Sequence, residues 1–131
     1  MPNPIETKSI VLVMDWTDTA AHVMISTLRR GGFHIVACDP REALELCQKD
    51  NSGVDLAIVD PGTPGLRPSE FLAAINPRIR VLLVGDPDLL EHPGDWVAAR
   101  NIRLSLAKPI RRATLLGSVL KVAGEPLYRT A

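Results

Sequence analysis

Aromatic side chains make up only 4% of the chain, too few to build the stacking platforms that hold single-stranded nucleic acid. Net charge is equally absent, because 15 Lys and Arg balance 15 Asp and Glu. No basic field exists to draw in a nucleic acid or an anionic membrane. No apolar run approaches the length of a bilayer span, and Met1-Pro2-Asn3-Pro4 carries no hydrophobic signal region. The two cysteines, Cys38 and Cys47, lack metal-ligand spacing and read as reduced, buried thiols. There is no glycine-rich phosphate loop, internal repeat or low-complexity tract. These absences point to a cytoplasmic protein that contacts neither nucleic acid nor membrane through this chain.

What is present is a folded core. At 131 residues and 46% hydrophobic, the chain is long enough for one domain without staples. Residues 1–8, polar with two prolines, read as an N-terminal linker, 9–123 as the domain and 124–131 as a C-terminal tail or linker. Five stretches read as strands: Ser9 to Met14, Phe33 to Cys38, Val54 to Val59, Arg80 to Val84 and, more amphipathic, Ile102 to Ala107. The first and third are continuous apolar runs, as strands buried on both faces are.

Between them lie helical patterns. Thr17 or Asp18 can cap a helix to Arg30 with Ala20, Val23, Met24, Thr27 and Leu28 on one face, stopped by Gly31-Gly32. Asp39-Pro40 opens a second through Ala43, Leu44, Leu46 and Cys47. Pro68-Ser69 opens a third to Ile75. Asp86 to Asn101 is broken by Pro87, Pro93 and Gly94, giving a short or irregular helix and then a turn or two around Trp96 to Arg100. The last helix, Arg111 to Val122, places Leu115, Leu116, Val119 and Leu120 on one side.

Strand–helix alternation without hairpin signals specifies an α/β fold, a (βα)5 flavodoxin-like three-layer sandwich. Right-handed crossovers favour a parallel sheet of strand order 2-1-3-4-5. That order sets the ends of strands 1 and 3 side by side, so Asp15 and Asp60 converge on one pocket where such sheets place ligands. Two carboxylates and a loop carbonyl can hold a hydrated Mg2+. A carboxylate beside a cation and the Lys108 ammonium can accept a phosphoryl group, because the positive charges neutralise it. The plainer alternative for Asp60 is that it shapes the Asp60-Pro61-Gly62 turn.

The chain from Ile10 to Val122 resembles the receiver domains of two-component response regulators. The carriers are Val11-Leu12-Val13-Met14-Asp15, Glu42-Ala43-Leu44-Glu45-Leu46, Asp55-Leu56-Ala57-Ile58-Val59-Asp60 with Thr63-Pro64-Gly65, and Leu106-Ala107-Lys108-Pro109. The resemblance implies a regulatory domain, not an enzyme, that takes a phosphoryl group on Asp60 from a histidine kinase or a phosphotransfer protein. It implies Asp15, Asp60 and the Gly62 carbonyl as Mg2+ ligands, Lys108 as the partner of the acceptor or its phosphate, and a cis Lys108-Pro109 bond. Further domains of a larger protein, such as a hybrid histidine kinase, would be natural neighbours.

The departures from the family are specific. Trp16 stands where a second acid ligates the metal, so Mg2+ binding is expected to be weak or lost. Gly85 replaces the hydroxyl residue ending strand 4, and Ser105 the switch aromatic before the lysine. Asn101-Ile102 replaces a small Gly-Ala pair, and Pro68 stands where a glycine is common. Asp86 could lend the missing carboxylate or, more plainly, cap a helix that starts at Pro87. His22, His34 and His92 read as ordinary surface or edge residues. The alternative function is a phosphorylation-independent pseudo-receiver that works as a protein–protein interaction module. A haloacid-dehalogenase-like phosphatase, suggested by Asp15 at a strand end and the acidic Gly85-Asp86-Pro87-Asp88, fails, because Thr17 stands where its second acid should be and Lys108 follows that acidic motif instead of preceding it.

Overall fold

The computed structural model describes residues 9–15, 17–49, 53–91 and 101–123. Five strands, β1 (Ser9–Val13), β2 (His34–Cys38), β3 (Val54–Val59), β4 (Arg80–Gly85) and β5 (Ile102–Ala107), alternate with α1 (Thr19–Arg30), α2 (Pro40–Gln48), α3 (Pro68–Ala74), α4 (Pro87–Glu91) and α5 (Arg112–Ala123). The strands form one sheet of order β2-β1-β3-β4-β5, and every neighbouring pair is parallel. This is the flavodoxin-like order expected from the sequence.

Successive strand residues point to opposite faces, and the core divides accordingly. Ile10, Leu12, Met14, Leu56, Ile58, Leu82 and Val84 pack with α1 and α5. Val11, Val13, Ala57, Val59, Val81 and Leu83 pack with Cys38 of β2 and with α2 and α3. Burial on both faces is why these strands read as unbroken apolar runs. Both cysteines are buried free thiols. Burial, then the Glu42 and Asp39 charges, push Cys38 up to about 11, and burial, then Cys38, pushes Cys47 up to about 12.

The caps follow local chemistry. Asp39 accepts the Glu42 N–H at 2.8 Å and Pro40 occupies the first turn of α2. Asp18, not Thr17, caps α1. At Gly31, the residue following α1, a Cβ would stand 2.8 Å from Leu116 Cδ2, so a side chain there would require the leucine tip to shift. Two helix faces differ from the sequence expectation. On α1 the buried stripe is Ala21, Met24, Thr27 and Leu28, and Val23 is 38% exposed. On α5 the stripe is Leu115, Val119 and Val122, and Leu120 is 59% exposed. Each misplaced residue sits one position from a stripe residue, which rotates it by about 100° on a helix of 3.6 residues per turn.

At the amino edge of the sheet, Arg80 opens β4 buried at 4% and donates from Nη1 to Asp55 Oδ2 at 2.9 Å. The same nitrogen reaches Ala123 O, at the end of α5, at 3.4 Å. This pair ties β3, β4 and α5 together at the end opposite the acidic pocket. The turns around Trp96 to Arg100 and His92, the Asn51-Ser52 loop, Trp16 and both expected linkers lie outside the described residues.

Candidate functional site

The carboxyl ends of β1, β3, β4 and β5 meet at one edge. Asp60 N–H donates to Val13 O at 2.9 Å, extending the β1–β3 ladder one residue past β3. That bond fixes Asp60 beside the end of β1, where it is only 6% exposed. The turn behind it is built on its own backbone. Asp60 O accepts from the Thr63 N–H at 3.1 Å and from Thr63 Oγ1 at 2.7 Å, with Thr63 itself buried. Gly62 N–H folds back onto Asp60 Oδ1 at 2.8 Å.

Lys108 enters from β5. Its N–H donates to Gly85 O at 2.9 Å, and the Lys108-Pro109 bond is cis. Its ammonium reaches across the sheet edge to Asp60 Oδ2 at 2.6 Å. The same nitrogen donates to Asp18 Oδ2 at 2.8 Å. Burial opposes the Lys108 charge, but the hydrogen bonds to Asp18 and Asp60 and their negative charges outweigh it and hold its pKa above the ordinary 10.5.

Asp18 has two tasks. Its Oδ1 caps α1 by accepting the Ala20 N–H at 2.9 Å, and its Oδ2 holds Lys108. The Lys108 bond first, and then the Ala20 bond, keep its pKa below the ordinary 3.8. Asp15 is turned differently. Its Oδ1 accepts from the Thr17 N–H at 3.0 Å and from Thr17 Oγ1 at 2.7 Å, which lowers its pKa as well. The structure therefore brings Asp60 and Lys108 into direct contact and sets Asp15 at the same edge, hydrogen-bonded to Thr17.

The departures have visible geometry. Gly85 presents no hydroxyl, yet a Cβ there would stand 3.4 Å from Pro61 Cδ and 3.7 Å from Asp60 Oδ1, which is ordinary contact. Ser105 lies exposed on β5. Asp86 is exposed, and its carbonyl accepts the Leu90 N–H at 3.1 Å to open α4; it occupies the helix-start position. His34 sits on edge strand β2 with Nδ1 2.8 Å from Ser9 Oγ.

Asp15, Asp60 and the Gly62 carbonyl are hard oxygen donors, the kind Mg2+ takes alongside several waters. In kind they fit that ion. In number they are few: among the described residues, no three His, Cys, Asp or Glu side chains gather as a metal cage. Asp18 is the pocket residue that the sequence reading left as a helix cap. Its signal was a carboxylate in the β1–α1 loop, three residues beyond Asp15 on the edge where Lys108 ends β5.

Solved structures that share this architecture include receiver domains. One, the receiver domain of a sensor histidine kinase from Pseudomonas aeruginosa with a magnesium ion coordinated in its active-site cleft, superposes at TM-score 0.74 with 21% identity, over 90% of this chain and 98% of that one. A receiver domain from Methanospirillum hungatei gives 0.73 at 21% identity, over 88% and 93%. A chemotaxis response regulator of Vibrio cholerae gives 0.70 at 26%, over 88% and 98%. The chain has the receiver-domain fold. The sequence matches no protein-family model and no curated protein. Among the described residues, no helix is long and apolar enough to cross a membrane.

Proposed function

We propose that this chain is a regulatory receiver of two-component signalling that accepts a phosphoryl group on Asp60, with weakened metal binding and weakened switching. The observation that carries the reading is the 2.6 Å contact between Lys108 Nζ and a nearly buried Asp60 Oδ2, at the ligand edge of an open parallel sheet.

In this reading the donor is a phosphohistidine of a histidine kinase or phosphotransfer protein. An Asp60 oxygen lone pair forms the new P–O bond as the P–N bond breaks, and the electron pair of that bond returns to the donor's imidazole. The backbone of Gly62 and the Lys108 ammonium hold the carboxylate in place against the incoming group. Lys108 then transfers a hydrogen bond from the carboxylate to a phosphoryl oxygen. Bound Mg2+, held by Asp15, Asp60 and the Gly62 carbonyl, would supply further charge neutralisation. With Trp16 in place of an acid, the donor set is one carboxylate short, and affinity falls. Without a hydroxyl at Gly85 or an aromatic at Ser105, the modified pocket has less with which to bias a second surface conformation. The chain acts in the cytoplasm, alone or beside other domains of a larger protein.

Incubation with phosphoramidate, a small donor with a P–N bond, and Mg2+ tests the reading by intact mass. A phosphoryl adduct on the wild type that is absent from Asp60→Asn supports it; no adduct on the wild type, or an equal adduct on both, contradicts it.

One observation favours the second reading, a phosphorylation-independent interaction module. Both Asp60 oxygens are already engaged, Oδ1 by Gly62 N–H and Oδ2 by Lys108, so the carboxylate has its partners within the chain. In that case Asp60→Ala leaves partner binding intact.

A further inference from the structure

Lys108 has two carboxylate anchors that belong to different parts of the fold. Asp60 follows β3 and is the group whose charge would change on modification. Asp18 starts α1, and its position is fixed independently, because its other oxygen caps the helix at 2.9 Å from Ala20 N. The cap and the lysine contact therefore use different oxygens of the same carboxylate. Asp15, the other acid of this loop, is committed to Thr17 through Oδ1 and leaves the lysine to Asp18.

We propose that Asp18 is a positioning residue for Lys108, holding the ammonium over the acceptor so that it stays in the pocket when the Asp60 carboxylate is neutralised or modified. The catalytic consequence rests on the reading of Asp60 as phosphoacceptor; the placement of the lysine does not. A flexible four-carbon side chain free to leave would lose rotamer freedom on each return. An ammonium already held by Asp18 meets a phosphoryl oxygen without that cost. In chemical terms, a helix cap has taken on a share of the pocket's charge.

Asp18→Asn separates the two tasks, because asparagine caps a helix as well as aspartate does while removing the charge that holds Lys108. The readout is the side-chain ammonium NMR signal of Lys108, which is sharp when the group is hydrogen-bonded in place and is lost to solvent exchange when it is free. The expected result is that the signal persists in Asp60→Asn and disappears in Asp60→Asn combined with Asp18→Asn, with the helical circular dichroism unchanged. Loss of the signal in Asp60→Asn alone, or its persistence in the double variant, would overturn the proposal.

A second arm uses beryllofluoride, a mimic of the aspartyl phosphate, on the otherwise unmodified chain. Asp18→Asn should weaken its binding about tenfold, and Asp18→Glu, which restores the charge, should recover part of that loss. Equal affinity for Asp18→Asn and wild type would also overturn the positioning role. If the wild type binds no beryllofluoride, the phosphoacceptor reading fails, and the ammonium signal still decides the role of Asp18.

Discussion

Lys108 and Asp60, 48 residues apart in sequence, meet at 2.6 Å with Asp60 almost wholly withdrawn from water. Removing the lysine strands the carboxylate, whereas removing the carboxylate leaves the lysine its second partner, Asp18. Lys108→Met, which keeps the stem and deletes the charge, leaves a buried carboxylate without its cation and should lower stability by about 1–3 kcal/mol. Adding Asp60→Asn should recover most of that loss, since the stranded charge is gone. Urea unfolding of the two single variants and the double measures the coupling.

The space at Gly85 makes a gain-of-function test available. The backbone there has no positive φ, and the nearest atoms to an added Cβ stand at ordinary contact distance. Gly85→Ser should therefore cost less than about 1 kcal/mol, as a side chain that fits its backbone and its space does. It also sets a hydroxyl near Asp60. Beryllofluoride affinity should rise relative to wild type, measured by fluorine NMR at fixed Mg2+; an unchanged affinity would mean that the missing hydroxyl is not what weakens the pocket.

The Asp18–Lys108 pair fixes a pH dependence at both ends. Asp18 has a folded pKa below 3.8, so its contribution is present above that value and is lost as the pH falls through the folded pKa. Lys108 has a folded pKa above 10.5, so its contribution is full below 10.5 and is lost as the pH rises through the folded value. The stability difference between wild type and Asp18→Asn should therefore be flat from about pH 5 to about pH 9. It should shrink toward either extreme. Thermal unfolding at matched ionic strength measures it, and a steady slope across neutral pH would contradict the assignment.

At the far edge, Asp55 is the counter-charge of a buried arginine. Asp55→Ala should cost about 3 kcal/mol, because the Arg80 charge stays buried when its partner leaves. Exchanging both for apolar residues of similar volume should cost much less. Chemical denaturation with comparable m-values in all variants is the check.

The two thiols give a probe of native-state opening. With Cys38 raised to about 11 and Cys47 to about 12, and both buried, almost no thiolate exists at neutral pH. Alkylation by iodoacetamide at about pH 7.5, a unit below the ordinary thiol pKa of about 8.5, should be negligible in the folded chain and fast in urea. Rapid labelling of the native chain would show that the α2 side of the core opens.

Much of the fold was legible because parallel strands buried on two faces leave apolar runs that nothing else explains, as Val11 to Met14 and Leu56 to Val59 do. Asp39-Pro40 announced α2 for an equally local reason, a cap acceptor followed by a residue with no N–H to lose. Val23 and Leu120 were misplaced because an apolar residue beside a stripe reads the same as one within it, and only the neighbouring helix and sheet decide which side is covered. Asp60 and Lys108 stood out as polar residues at the ends of apolar strands. Asp18 did not, since a cap residue already has a sufficient local explanation. Its second role depends on a lysine that reaches the same edge from the far end of the chain, which no local pattern contains.

The most direct measurement is an amide NMR titration with Mg2+, in the presence and absence of beryllofluoride, on the wild type and Asp60→Asn. A weakly metal-binding receiver predicts saturable shifts at Asp15, Asp60, Gly62 and Lys108 with beryllofluoride and Mg2+ together, absent from Asp60→Asn, with little spread to β5 around Ser105. No response of the wild type at millimolar metal would contradict the phosphoacceptor account and leave the pocket as part of an interaction module.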